Sequence, residues 1–279
     1  MDIRQTTGFY DLCVNVQGND TKNLHVLLAR LYDFGFRTVA LNIDLDDSAI
    51  TSDKKKKKKS DERESHQSII PNTFDIDRIK RDFEGKLKIF KRITFLCSDP
   101  ARTHILNHCA DLKKYDLYAL SPRTQNSLQF ACTQLNCDII TLKASSTTFK
   151  LNKKLYEQAI ERGIHFEIQY VDLLNIKSRK LIIHYAHLFH TYGKSKNVIL
   201  SSGANDVKTI RSPYDILNLS CILGLSEIKA KASVLNQCKK LLLRAERRRR
   251  GKAVFIIEEE TETADIIEDD GRFLKKLKL

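Results

Sequence analysis

Ser201, Ser202 and Gly203 follow directly on Val198, Ile199 and Leu200, with no turn residue between. A short apolar strand of this kind is buried on both faces, as in a parallel sheet. Ligands meet parallel α/β folds at the C-terminal ends of their strands. Two hydroxyls and a glycine amide at such an edge donate hydrogen bonds to an anion, but none is a base, a metal ligand or an activated nucleophile. His184, His187 and His190 recur every third residue on a predicted helix. Ligands at i, i+3 and i+6 do not converge on one ion unaided, and no carboxylate joins them, so they read as helix-surface histidines. Asp11, Glu167 and Asp138 fall in or beside predicted strands. With no histidine at alternate positions, they read as buried carboxylates hydrogen-bonded to neighbouring strands. The chain has no P-loop, glycine-rich nucleotide loop or Ser-His-Asp arrangement.

The basic residues near predicted strand ends carry a different chemistry. Lys91, Arg92, Arg102, Arg123, Lys143, Arg179, Lys180 and Arg211 could neutralise phosphates, as could the donors Ser202 and Gly203. For Ser202 and Gly203, closing the fold is the favoured alternative. The 279 residues carry a formal charge of +13. The segment Asp46–Ser68, with its Lys54–Lys59 run, nets +1, and so does everything from Arg244 onward; about +11 is therefore spread over the body. A distributed excess of this kind points to a polyanion, because counterion release scales with the phosphates contacted. Lys54–Lys59, and Arg247, Arg248, Arg249 and Arg250 with Lys252, match nuclear-localisation patterns. A helix ending in arginines that complement its dipole explains the second run equally.

Alternating elements must position these groups. Strands are expected at Gly8–Val14, Thr38–Ile43, Arg92–Cys97, Tyr115–Leu120, Asp138–Leu142, His165–Tyr170 and Val198–Leu200. Helices are expected between them, starting at Asp75, at Ser98-Asp99-Pro100 and at Ser121-Pro122, and lying across Asn23–Phe34, Lys153–Arg162, Arg179–Tyr192 and Pro213–Leu223. Ser226–Ala245 reads as a further helix rather than an eighth strand, with Cys238, Leu241, Leu242 and Ala245 on one face. The expectation is an α/β fold: a TIM-like β/α barrel of about seven parallel strands over residues 1–245, with a disordered Lys-rich insertion at about 46–70 and a flexible charged tail at 246–279. No G-x-G-x-x-G follows the first strand, which argues against an open dinucleotide-binding sheet. Seven scattered cysteines without a C-x-x-C pair read as buried thiols of an intracellular protein. No apolar run is long enough to cross a bilayer, so no membrane partner is expected.

Four stretches carry a resemblance: Phe9-Tyr-Asp-Leu-Cys-Val14, Asp75-Ile-Asp-Arg-Ile-Lys80, Lys91-Arg-Ile-Thr-Phe-Leu-Cys-Ser-Asp-Pro100 and Asn197-Val-Ile-Leu-Ser-Ser-Gly-Ala204. Together with the Pro213–Gly224 helix they resemble the barrel-like protein subunit of ribonuclease P, shared in eukaryotes with ribonuclease MRP, over roughly residues 8–240. The resemblance implies a PHP-type barrel related to metal-dependent phosphoesterases. Those enzymes carry His-x-His at the end of the first strand, where this chain has Asp11-Leu12-Cys13, so it implies no catalytic residue and no metal site. It further implies that the RNA subunit is the catalyst, cleaving the 5′ leader of precursor tRNA with its own magnesium, while this chain binds no cofactor. The implied partners are that RNA, precursor tRNA indirectly, a Pop-five-type protein and other holoenzyme proteins, with possible pairing of two heterodimers, in the nucleus and nucleolus. A metal-dependent phosphoesterase acting alone and a protein-only assembly scaffold are the alternatives.

Overall fold

The computed structural model describes residues 8–16, 21–49, 76–143 and 149–251. Seven strands, β1 (Phe9–Asn15), β2 (Phe36–Asp46), β3 (Lys88–Cys97), β4 (Leu117–Pro122), β5 (Ile139–Thr141), β6 (His165–Gln169) and β7 (Val198–Ser201), pair in chain order. Every pairing is parallel. The helices are α1 (Thr21–Asp33), α2 (Asp77–Asp82), α3 (Pro100–Thr103), α4 (Gln125–Thr133), α5 (Lys153–Glu161), α6 (Val171–Leu174), α7 (Ile176–Gly193), α8 (Pro213–Ile222), α9 (Glu227–Val234) and α10 (Asn236–Arg250).

The sheet closes where the sequence placed its anion-donor triplet. The Gly203 amide donates to the Cys13 carbonyl at 2.8 Å, and the Asn15 amide to the Ala204 carbonyl at 2.8 Å. Ser202 Oγ donates to the Cys13 carbonyl at 2.9 Å and the Asn15 side-chain amide to the Gly203 carbonyl at 2.8 Å. Gly203 has φ +63°, and a Cβ there would lie 2.7 Å from Gln169 Oε1. Only glycine fits a left-handed position that tight. Ser202 and Gly203 therefore close the barrel, with both residues buried in the seam.

Two apolar cores result. The larger lies between the outer faces of the strands and the helices; Phe166 of β6, for example, packs its ring 5.1 Å from Tyr156 of α5 and 4.9 Å from Phe189 of α7. The smaller fills the N-terminal half of the barrel. There Tyr10, Phe90, Leu117, Ile139 and Ile199 meet Cys238, Leu241, Leu242 and Ala245 of α10. With no eighth strand among the described residues, a helix plugs this end, and each leucine it buries contributes about 1.5–3 kcal/mol.

Several sequence expectations shift. Asp46 still belongs to β2, and buried Asp47 accepts the amides of Ser98 and Asp99 at 2.6 and 2.9 Å, so the expected insertion begins later than position 46. Residues 50–75, including Lys54–Lys59 and Asp75, lie outside the described residues, as do Lys252 and the rest of the tail. Ser121 and Pro122 end β4 instead of opening a helix; Thr124 caps α4 through a reciprocal bond with Ser127. The folded unit does not stop at residue 245: α10 runs to Arg250 and ends on Gly251 at φ +65°.

Candidate nucleic-acid interface and the barrel centre

Strand alternation sends Arg92 of β3 into the barrel, in phase with Phe90 below and Thr94 above. Its guanidinium donates to both carboxylate oxygens of Glu167 on β6, at 2.5 and 2.7 Å, and both side chains are fully buried. The remaining donors reach the Leu12 carbonyl at 2.7 Å, Thr141 Oγ1 at 3.2 Å and Thr94 Oγ1 at 3.3 Å. Glu167 also accepts from Thr141 at 2.6 Å and Ser201 at 2.7 Å. Burial alone would raise the Glu167 carboxyl, but the charge and hydrogen bonds of Arg92, with those hydroxyls, hold it below its ordinary value.

The network continues upward. Thr94 donates to Asn42 at 2.5 Å, and Asn42 donates to Asn15 at 2.7 Å and Asp44 at 2.9 Å. Asp44 is paired with Lys143, and Asp46 with Arg123 at 2.5 Å. Asp11, also buried, accepts the amides of Ser202 and Cys13 at 3.0 and 3.2 Å through one oxygen, while its other oxygen is unpartnered. Burial pushes its carboxyl up to about 6 against those bonds. Burial also raises the thiol of Cys13 far above the ordinary cysteine range, so it is no nucleophile. Among the described residues no group of three or more His, Cys, Asp or Glu side chains is placed to hold a metal ion. Arg92 and Glu167, with Thr94, Thr141 and Ser201, form a mutually satisfied set that fixes strand positions at the barrel centre, and the free oxygen of Asp11 lies outside it.

The basic candidates separate accordingly. Arg92 is not at the rim, and its charge is consumed inside the fold. Lys91 lies near the start of β3, its amide donating to Asp116 at 2.8 Å. At the C-terminal end of the barrel stand Arg123 and Lys143, held to Asp46 and Asp44. Arg102 there is exposed beside Asp99 at 3.9 Å, and Arg211 donates to the carbonyls of Lys208 and Ile210. Arg179 and Lys180 are exposed in the first turns of α7. On the same helix His184, His187 and His190 are exposed, His187 lying 3.3 Å from the Ile222 carbonyl.

The arginine run is largely internal hardware. Arg248 meets fully buried Asp138 at 2.8 Å, joined by Arg244 at 2.9 Å. Arg249 pairs with Asp116 at 2.8 Å, and Arg250 with Glu246. Of the proposed signal, Arg248 and Arg249 thus hold α10 to the segments before β4 and β5, while Arg247 and Arg250 are exposed, Arg250 pairing within the helix. Arg244 was missed in the sequence because Asp138, its partner, is 106 residues away.

A family model for RNase P subunit p30 matches residues 8–250, from the residue before β1 to the last residue of α10. The chain belongs to this family. The p30 match leaves the residues beyond Arg250 uncovered. Ribonuclease P protein subunit p30 of Mus musculus is 31% identical over 236 residues, 83% of this chain and 84% of that protein. Protein GAMETOPHYTE DEFECTIVE 1 of Arabidopsis thaliana is 36% identical over 141 residues, half of this chain but only 24% of that longer protein. A chain in the cryo-EM structure of archaeal ribonuclease P with mature tRNA superposes with a TM-score of 0.60 at 15% identity, covering 91% of this chain and all of that one. This p30 fold is therefore shared with a component of that particle.

Proposed function

We propose that the chain is a non-catalytic protein component of ribonuclease P, acting in tRNA 5′-leader processing, and of ribonuclease MRP, acting in pre-rRNA processing. It binds the catalytic RNA and a Pop-five-type protein, as one half of a pair of heterodimers, and stabilises the active particle in the nucleus and nucleolus. Membership of the p30 family supports the assignment, and the name of the mouse relative gives it its particle. The observation that carries the non-catalytic reading is the Arg92–Glu167 pair: the barrel centre is filled by a protein cation and its carboxylate. A surface charged in excess, with formal net charge +13 on the chain, lowers the repulsion between RNA phosphates and favours their compact packing. Divalent magnesium then serves the RNA, and the chain itself needs no cofactor.

The test is leader cleavage from precursor tRNA by the RNA subunit, titrated with magnesium, with and without this chain. A lower magnesium requirement in its presence is expected; an unchanged requirement overturns the reading. Metal bound by the RNA-free chain, together with phosphoester hydrolysis by it, is the result that a lone phosphoesterase would give.

A further inference from the structure

A cluster of cations lies at the end of the barrel opposite the rim that holds Arg123 and Lys143. A cleft of about 790 Å³ opens beside the C-terminal end of α2 and the first residues of β3. Arg37, Lys80, Arg81, Lys86, Lys88 and Arg249 line it. Its acids are Glu84 and Asp116, and Asp116 is already engaged, taking the Lys91 amide and Arg249. The volume falls in the usual range of ligand sites, about 300–1,000 Å³, but such sites are mostly apolar. Setting aside the Arg249–Asp116 pair, five cations against Glu84 instead fit a polyanion.

Its parts are also held ready. The Arg37 guanidinium donates to the carbonyls of Tyr32 and Phe36 at 2.9 and 2.7 Å and lies 4.4 Å over the Tyr32 ring. Among the described residues no hydrogen bond or ion pair ties the ammonium groups of Lys80 and Lys86, in contrast to Lys143 and Arg123 at the rim. Gly85, at φ +74°, turns the connecting loop, and a side chain there would meet nothing within 4 Å, which leaves the mouth open.

We infer that this cleft is an RNA backbone site: the phosphodiester chain runs past Lys80, Arg81 and Lys86, with Arg37 as a fixed point. Lysines act here as point charges on flexible stems, suited to a backbone that carries no sequence information. The inference rests on the RNA-binding reading above and adds its location, the N-terminal mouth of the barrel.

The full-length chain and the in vitro transcribed ribonuclease P RNA are the reagents, with affinity measured across a salt titration. Lys80→Ala/Arg81→Ala/Lys86→Ala is compared with Lys153→Ala/Lys154→Ala/Lys177→Ala, an equal charge change on α5 and α7, both checked by thermal melting. The cleft variant is expected to lose about tenfold in affinity or more, and about 1 unit of log–log salt slope per residue removed. The α5/α7 variant loses less on both measures. Equal losses in the two variants mean diffuse attraction and overturn the cleft. Normal RNA binding by the cleft variant also overturns it, leaving the cleft to an acidic protein segment, while the RNA-binding reading stands. No RNA binding by the wild-type chain removes both.

Discussion

Arg92 and Glu167, on strands β3 and β6, face each other across the barrel as a two-pronged ion pair at 2.5 and 2.7 Å, both side chains fully buried. Each carries the other's compensation. Removing one member strands a charge where water cannot reach it, whereas removing both need cost little. Arg92→Ala is therefore expected to lower unfolding stability by about 3–5 kcal/mol. Arg92→Met/Glu167→Leu is expected to recover most of that loss in a urea titration. If the single substitution leaves stability unchanged, the pair is not the strut described.

Asp138 organises the bottom of the barrel in the same way. It takes Arg244 and Arg248 from α10 and the Tyr118 amide at 3.0 Å. Asp138→Ala should release α10, seen as faster hydrogen exchange over Asn236–Arg250 and a stability loss of about 3–5 kcal/mol. Leu242→Ala should cost about 2–5 kcal/mol by opening the apolar plug, without disturbing those ion pairs. A deletion of α10 that left the melting transition in place would contradict its role as plug.

The closure seam depends on Gly203. Gly203→Ala meets both the penalty of a left-handed backbone, about 1–2 kcal/mol, and the contact with Gln169. A melting temperature lowered by several degrees is expected, and an unchanged one would mean that β1 and β7 close by another register.

Two buried groups set opposing pH dependences. Asp11 has its carboxyl raised from 3.8 to about 6 by burial, so between those values the folded chain holds more protons than the unfolded one. This contribution falls as pH rises from about 4 to about 6. His165 is lowered from 6.5 to about 4, by burial first and then by Arg244, so the unfolded chain holds more protons there. Its contribution rises over about pH 4 to 6.5. Asp11→Asn should make stability climb more steeply across that window, and His165→Phe should flatten it. Denaturant titrations at stepped pH decide this, and identical slopes in all three proteins would refute it.

The strand–helix alternation was legible from short apolar runs such as Val198–Leu200 and from helix ends marked by Gly35, Gly163, Gly193 and Gly224. The charged interior was not. In a parallel barrel both strand faces are buried, so alternation alone does not say whether Arg92 points at Glu167 or at solvent. Phe90 and Thr94, in phase with it, held the only local hint. The triplet Ser201-Ser202-Gly203 was located correctly at a strand end, and its closing role, the favoured alternative, is the one the seam displays. The arginines of α10 carried two readings, and Asp138 and Asp116, more than a hundred residues upstream, tie Arg248 and Arg249 into the fold.

The RNA that accompanies the chain tests the account most directly. Tagged protein is purified from nuclear extract under native conditions, and the associated RNA is sequenced. The account predicts strong enrichment of ribonuclease P RNA, together with the MRP RNA, over bulk nuclear transcripts. Recovery of protein partners with no enriched RNA would contradict it.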